Sequence, residues 1–373
     1  MSTQSADAKH SRTWAPRIWE GGDYFAFWRM MIANRFAVEP PYWWIAGVMS
    51  VTNFANTLLG WLQHGMHGDR IARTRIAHPP VFVLGHWRTG TTLLHELLIL
   101  DSRHTSPNSL QCFEPCHFLV TEGIFEKYGK ALLPDKRPMD NMAAGWDRPQ
   151  EDEFALALLG QPSTYTDFAF PGRPPMWPGS LDLSGLTAGQ LAAWKRTLVR
   201  FLKTVTYRDP RRLVLKSPPH TARLPVLLEL FPDAKFVHIV RNPYALFSST
   251  VNLWMSFGHK HGLQTPRHSP ELEEKVFREF RVIHERYEEG KKLIPAGNLV
   301  EVRYEEFVKD LVGGTKAIYD GLSLGGWEEA RPQVETFAAG QKDYTTNKWT
   351  LTDEQKQRIS DRWGDIIRQQ GYE

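Results

Sequence analysis

The sequence predicts an α/β fold: a parallel β-sheet with helices on both faces, built around a phosphate-binding-type loop and preceded by a helical N-terminal extension. Three observations predict it. Short apolar runs, "VFVLG" (81–85), "RRLVLK" (211–216) and "DAKFVHIV" (233–240), recur along the chain. Each run passes through a polar turn into a stretch of helical length, as parallel strands covered on both sides do. The first of these turns, "GHWRTGTT", has glycines spaced as in an anion-binding loop.

The chain of 373 residues is 42% apolar and 23% charged, an ordinary globular composition with ample core material. Its 45 basic and 42 acidic residues leave a net charge of +3. That balance speaks against a nucleic-acid partner, which would call for a concentrated basic excess. Any anion site must come from local arrangement. The leading "MSTQSADAKHSRTW" is polar and does not read as a secretory signal, so a cytoplasmic protein is expected.

Residues 1–78 form the expected helical extension and 79–373 the α/β domain. Residues 40–68 contain no Asp, Glu, Lys or Arg. The length suffices to span a bilayer, but Ser50, Asn53, Asn56, Gly60, Gln63 and His67 recur every three or four residues and mark one polar helical face. Three readings stand: a packed core helix, a peripheral membrane contact, and a true span. The two cysteines, Cys112 and Cys116, are read as reduced thiols; with His117 they form the one weak candidate for a metal set.

After "HPP" the pattern changes. "VFVLG" is a buried strand and "TTLLHELLILD" its helix. Residues 101–210 read as mostly helix and loop. Two stretches rich in Pro, Gly and aromatics, 163–179 and 253–268, read as substrate-covering loops or as plain surface loops. Arg211–Lys216 is the second strand and Thr221–Phe231 its helix. The third strand ends at Arg241, and "LVEVRY" (299–304) is the fourth. The tail from Glu271 is helical, with its charges on a solvated face.

Loops at the carboxyl ends of parallel strands bind ligands, and the polar turns all lie there. Gly90, Thr91 and Thr92 open a helix, so their N–H groups and the helix dipole favour an anion. Arg88 adds a planar, permanently charged fork. The triphosphate-loop lysine is missing, since Thr91 stands in its place. Lys216 and Arg241 close the neighbouring strands, where an ATP-dependent phosphotransferase would need a carboxylate for Mg²⁺. The site is therefore built from cations and N–H donors, and no metal ligand is expected.

The set Arg88-Thr89-Gly90-Thr91-Thr92, Lys216-Ser217-Pro218, and Arg241 with Ser249 eight residues on resembles the sulfotransferases, which use 3′-phosphoadenosine 5′-phosphosulfate (PAPS). "FPDAKFVHIVRNP", "VRYEEF", "KSPPH" and "PQEDEF" extend the resemblance from about Pro80 to the C-terminus, nearest to bacterial members. The resemblance implies that the first loop, Arg88 to Thr92, holds the 5′-phosphosulfate, with Arg88 stabilising the transferring group. It implies that Arg241 and Ser249 hold the 3′-phosphate, and that the Tyr-Glu strand end is structural. The implied reaction is in-line transfer of a sulfuryl group to a hydroxyl or amine, with Lys216 beside it and a general base taking the acceptor proton. Candidates for the base are His220, the acidic group Glu151, Asp152 and Glu153, and Glu114. For the acidic group, simple complementation of a helix dipole is the competing explanation. The aromatic loops and uncharged helix suggest a small apolar alcohol or lipid as acceptor; a sugar stays open. The rival functions are a phosphotransferase on the same loop and a nucleotide-binding protein without turnover.

Overall fold

The computed structural model describes residues 17–128, 145–340 and 351–372; the polar leader 1–14 lies outside them. The chain divides into two compact units. The first takes the described residues within Met1–Thr74, Asn108–Arg208 and Asn252–Ser269, and the second takes Arg75–Pro107, Asp209–Val251 and Pro270–Glu373. The N-terminal helices thus fall in one unit with two later segments.

The second unit holds a five-stranded parallel sheet of strands β1 (Val81–Leu84), β2 (His104–Thr105), β3 (Arg212–Lys216), β4 (Lys235–Val240) and β5 (Leu299–Arg303), in the order β2-β3-β1-β4-β5. All pairings are parallel, with Val83 opposite Lys216 and Leu84 opposite His238. Helices cover both faces, which is why β1 is buried at every position. On one face Val81, Val83, Val214, Val237 and Ile239 pack on the helices Thr91–Ile99 and Leu311–Leu322 through Leu94, Leu98, Ile318 and Leu322. On the other, Phe82 stacks on Phe236 at 5.6 Å and His238 on Tyr287 of the helix Pro270–Gly290 at 3.7 Å. The edge strand β5 is only partly buried.

Three expectations need correction. The two-residue strand β2 was not foreseen, because so short a run carries no period. The helix expected from Thr221 starts at Leu224; Pro218–Ala222 form a 3₁₀ turn first, as Pro218 and Pro219 dictate. The stretch 253–268, read as a loop, is helical to His261 as the end of the helix Pro243–His261.

In the first unit the uncharged segment forms one long helix, Trp43–Arg73. Its polar stripe faces inward. Asn56 Nδ2 donates to the Glu20 carbonyl (2.7 Å), and its Oδ1 meets His117 Nε2 (3.0 Å). Gln63 bridges Cys116 O (3.1 Å) and Leu119 N (2.8 Å), and Ser50 Oγ accepts from Trp28 Nε1 (3.1 Å). The apolar residues Val51, Phe54, Leu58 and Leu62 point outward and are exposed. The buried face also holds Ile45, Ala46, Met49 and Ile71, so it is mixed, while the exposed face of 40–68 is mostly apolar. The aromatic core of this unit gathers Phe154, Tyr165, Phe168 and Phe257, with Phe168 and Phe257 stacked at 4.5 Å.

Candidate active site

The carboxyl end of β1 opens into Gly85–Gly90 between the ends of β3 and β4. The chain takes a positive φ three times, at Gly85 (φ 151°), Arg88 (φ 72°) and Gly90 (φ 102°). Gly90 has a second reason to be glycine: a Cβ there would lie 2.5 Å from the Tyr304 ring. Gly90 then serves as N-cap of the helix Thr91–Ile99, so the first N–H groups of that helix face outward, unspent on backbone carbonyls.

Internal bonds set the loop's shape. Thr89 Oγ1 donates to His86 O (2.7 Å), and the Thr221 hydroxyl lies 2.8 Å from Gly85 N and 3.2 Å from Gly85 O. His86 is fully buried, and burial pushes its imidazole down to about 4, against the smaller opposing effect of the Trp87 carbonyl at Nδ1 (2.9 Å). A carbonyl can only accept, so Nδ1 carries the proton and Nε2 is left as a buried acceptor.

The cations converge on this turn. Arg88 Nε donates to Ser249 Oγ (2.8 Å), and Arg241 Nη1 donates to Arg88 O (3.0 Å). The helix Pro243–His261 starts two residues after Arg241, which keeps Ser249 within reach of Arg88. The Arg241 guanidinium lies 4.2 Å from the centre of the Tyr304 ring. Burial raises the Tyr304 phenol, with Arg241 opposing. Arg88, Thr92 and Arg241 are half-buried, and Lys216 at the end of β3 is 2% exposed. Thr89, Gly90, Thr91 and Thr92 are therefore assembled with Arg88, Arg241 and Ser249 at one sheet edge, which β3 closes with Lys216. Positive charge, helix N–H groups and hydroxyls are the donor types that a highly charged anion requires.

His220 belongs to the 3₁₀ turn after Lys216. It is 1% exposed and packs edge-on against Phe82 of β1 at 5.6 Å. The acidic candidates belong to the first unit. Asp152 and Glu153 begin the helix Asp152–Leu158 and are fully buried, and Glu153 accepts from Ser163 Oγ at 2.6 Å. Tyr165 donates its hydroxyl to Glu151. Glu114 lies 3.3 Å from His117 Nε2. Both nitrogens of His117 are engaged, by Thr121 (3.0 Å) and by Asn56 and Glu114, so the Cys112, Cys116 and His117 metal reading loses its imidazole. Among the described residues no group of three or more His, Cys, Asp or Glu is arranged to hold a metal ion.

Residue-by-residue reading missed His86, Thr221 and the structural reach of Glu305. Glu305 Oε1 accepts from Asn242 N (2.9 Å), and Oε2 accepts from the Tyr372 hydroxyl (2.7 Å). The available signal was "VRYEEF" itself, a polar pair closing a strand beside "VRNP".

A parallel sheet with an anion loop at its first strand and cations closing the two neighbouring strands defines a group-transfer α/β protein of the phosphate-loop type. The comparisons narrow the class. The sulfotransferase family profile matches residues 79–329. The chain is 42% identical over 362 residues to the omega-hydroxy-beta-dihydromenaquinone-9 sulfotransferase Stf3 of Mycobacterium bovis and of Mycobacterium tuberculosis, covering 97% of this chain and 93% of theirs. In fold it is similar to sulfotransferase STF9 from Mycobacterium avium (TM-score 0.65, 20% identity, 87% of this chain and 85% of that one). It is similar as well to STF1 from Mycobacterium tuberculosis (TM-score 0.55, 18% identity, 87% and 85%). The chain belongs to the sulfotransferase family.

Proposed function

We propose that this sulfotransferase takes its sulfuryl group from PAPS and passes it, without a metal, to a hydroxyl (or amine) of an apolar, lipid-like acceptor in the cytoplasm. One observation carries the donor: Arg88, Arg241 and Ser249 form a connected chain around the loop, with Lys216 on the adjoining strand. Cations stand where a magnesium-dependent phosphotransferase needs a carboxylate. Two clusters of negative charge, a 5′-phosphosulfate and a 3′-phosphate, suit such a chain of donors. The acceptor reading is supported by the ω-hydroxy menaquinone derivative named for the 42%-identical relatives. A peripheral membrane contact through residues 40–68 belongs with such an acceptor.

The transfer chemistry is assigned to 79–373, with 1–78 as a helical extension. Gly90, Thr91 and Thr92 would cradle the phosphosulfate by their N–H groups, with Thr89 shaping the turn. Arg88 and Lys216 would stabilise charge on the transferring group and the departing phosphate oxygen. Arg241 and Ser249 would hold the 3′-phosphate. The acceptor oxygen forms its bond to sulfur as the bond to phosphate oxygen breaks, and the base removes the acceptor proton. His220 is the first choice for that base because it shares the unit and follows the strand of Lys216; Asp152, Glu153 and Glu114 are the alternatives.

The test is transfer of labelled sulfate from PAPS to an ω-hydroxylated isoprenoid quinone in excess chelator. Labelled product is expected. Label transfer lost in chelator and restored by Mg²⁺ would overturn the metal-free part of this reading.

A further inference from the structure

We propose that the first unit docks on an anionic lipid bilayer through the outer face of the helix Trp43–Arg73. Trp44, Val51, Phe54, Leu58 and Trp61 lie at helical spacing along that face and are 48%, 71%, 53%, 45% and 62% exposed. Trp43 and Met66 extend it at either end, and no charged residue interrupts 40–68. Trp43, Trp44, Phe54 and Trp61, each about half exposed, leave roughly 300–500 Å² of ring in water, taking about 150–250 Å² for a whole aromatic side chain. That alone matches the largest patch on an ordinary monomer, roughly 300–600 Å².

The helix does not cross the membrane. Asn56, Thr57 and Gln63 on its inner face are bonded to Glu20, Asp23 and Cys116 of the same unit. Insertion to its full depth would carry those groups and their partners into hydrocarbon. An arrangement with one face held by protein and one face apolar is that of a helix lying in the interface plane.

Charge favours an anionic bilayer as the occupant. Exposed Arg70 and Arg73 stand in the last turns of the helix. The neighbouring helix Ala188–Arg208 carries Lys195, Arg196, Arg200, Lys203 and Arg208 and no acidic residue. It joins the apolar helix through Arg200 to His64 (3.1 Å) and Lys203 to Ala72 O (2.9 Å). Beside Trp61 and His64 these helices help line an open pocket of about 560 Å³, with Ile71 and Phe201 together with Arg196 and Arg200 in its wall. Arg208 is paired with Glu122 and Asp69 lies beside Arg70, so the excess at this end comes from Arg73, Lys195, Arg196, Arg200 and Lys203; an apolar strip with indole rings and such an excess matches acyl chains beneath phosphate headgroups. The inference deepens the apolar-acceptor reading and rests on it only for its purpose, since the surface would let the enzyme meet its acceptor in place.

The test is flotation of the full chain with vesicles of phosphatidylcholine alone and with about one-third phosphatidylglycerol. Binding to the anionic vesicles is expected. Val51→Glu with Leu58→Glu should weaken it more than tenfold with Tm unchanged; Phe54→Ser is the milder variant if that pair fails to fold. Arg70→Gln and Arg73→Gln should each cost about fivefold on anionic vesicles only. Failure of the full chain to float with either vesicle overturns the proposal. So does a dimer in sedimentation that Val51→Glu with Leu58→Glu splits while vesicle binding stays unchanged, which would make the face an interface between copies. The readout is binding and not turnover, so its failure leaves the sulfuryl-transfer reading standing, and the converse holds.

Discussion

Arg241→Ala offers the sharpest test of the donor site, because one ratio separates loop support from a hold on a 3′-phosphate. Its Nη1 holds the Arg88 carbonyl at 3.0 Å, and its guanidinium rests 4.2 Å from the Tyr304 ring centre. Losing that hydrogen bond and ring contact costs about 1 kcal/mol each in order of magnitude. This loss loosens the loop for any nucleotide. If Arg241 also holds a 3′-phosphate, the variant loses a charged hydrogen bond of about 1.5–3 kcal/mol that only a 3′-phosphorylated nucleotide makes. That corresponds to roughly 10- to 150-fold. Calorimetry on adenosine 3′,5′-bisphosphate and on AMP gives both terms. Wild type should favour the bisphosphate by at least tenfold, and Arg241→Ala should bring the ratio toward one while lowering AMP affinity only modestly. Arg241→Lys keeps charge but not the fork, so it should fall between them. An unchanged ratio in Arg241→Ala, with both affinities reduced equally, would leave Arg241 a loop support and refute the assignment.

Three further outcomes are expected. Arg88→Ala should lower kcat by about 10²–10³ while changing nucleotide affinity less; weakened binding with normal turnover at saturation would make it an anchor only. His220→Ala should abolish turnover and leave bisphosphate affinity intact, whereas a folded variant with near-normal rate would shift the test to Glu153→Gln and Asp152→Asn. Acid should destabilise the chain through His86. Its folded-state value of about 4 lies below the ordinary 6.5, so the unfolded state takes up the proton first. Stability is then fully present above pH ~6.5 and declines as pH falls toward ~4, by up to ~3 kcal/mol. Burial lowers His261 in the same direction, so the measurement is the difference in pH slope between wild type and His86→Asn in urea titrations; equal slopes would refute it.

The local chemistry of the site was written in the chain. An apolar run covered on both faces needs no alternation, so "VFVL" could be read as a strand without knowing its neighbours. Chain direction then fixes which end of a parallel strand carries the binding loop. That is why Arg88, Lys216 and Arg241 could be placed at one edge. The order of strands could not be read this way, because any order satisfies the same runs. Only the assembled sheet sets β3 and β4 on either side of β1, and only then does Arg88 find Ser249.

The helix Trp43–Arg73 marks the limit most clearly. Its spacing showed a polar stripe and an apolar stripe on opposite sides, which is a property of one helix. Which side meets protein depends on partners far away in sequence. Cys116 and His117 offer hydrogen bonds that Asn56 and Gln63 satisfy, so the polar side turned inward and the apolar side was left outside. Tyr304, which seats Arg241 and requires glycine at position 90, was likewise settled by long-range packing. Periodicity assigns a residue to a face, and tertiary contacts alone decide what that face meets.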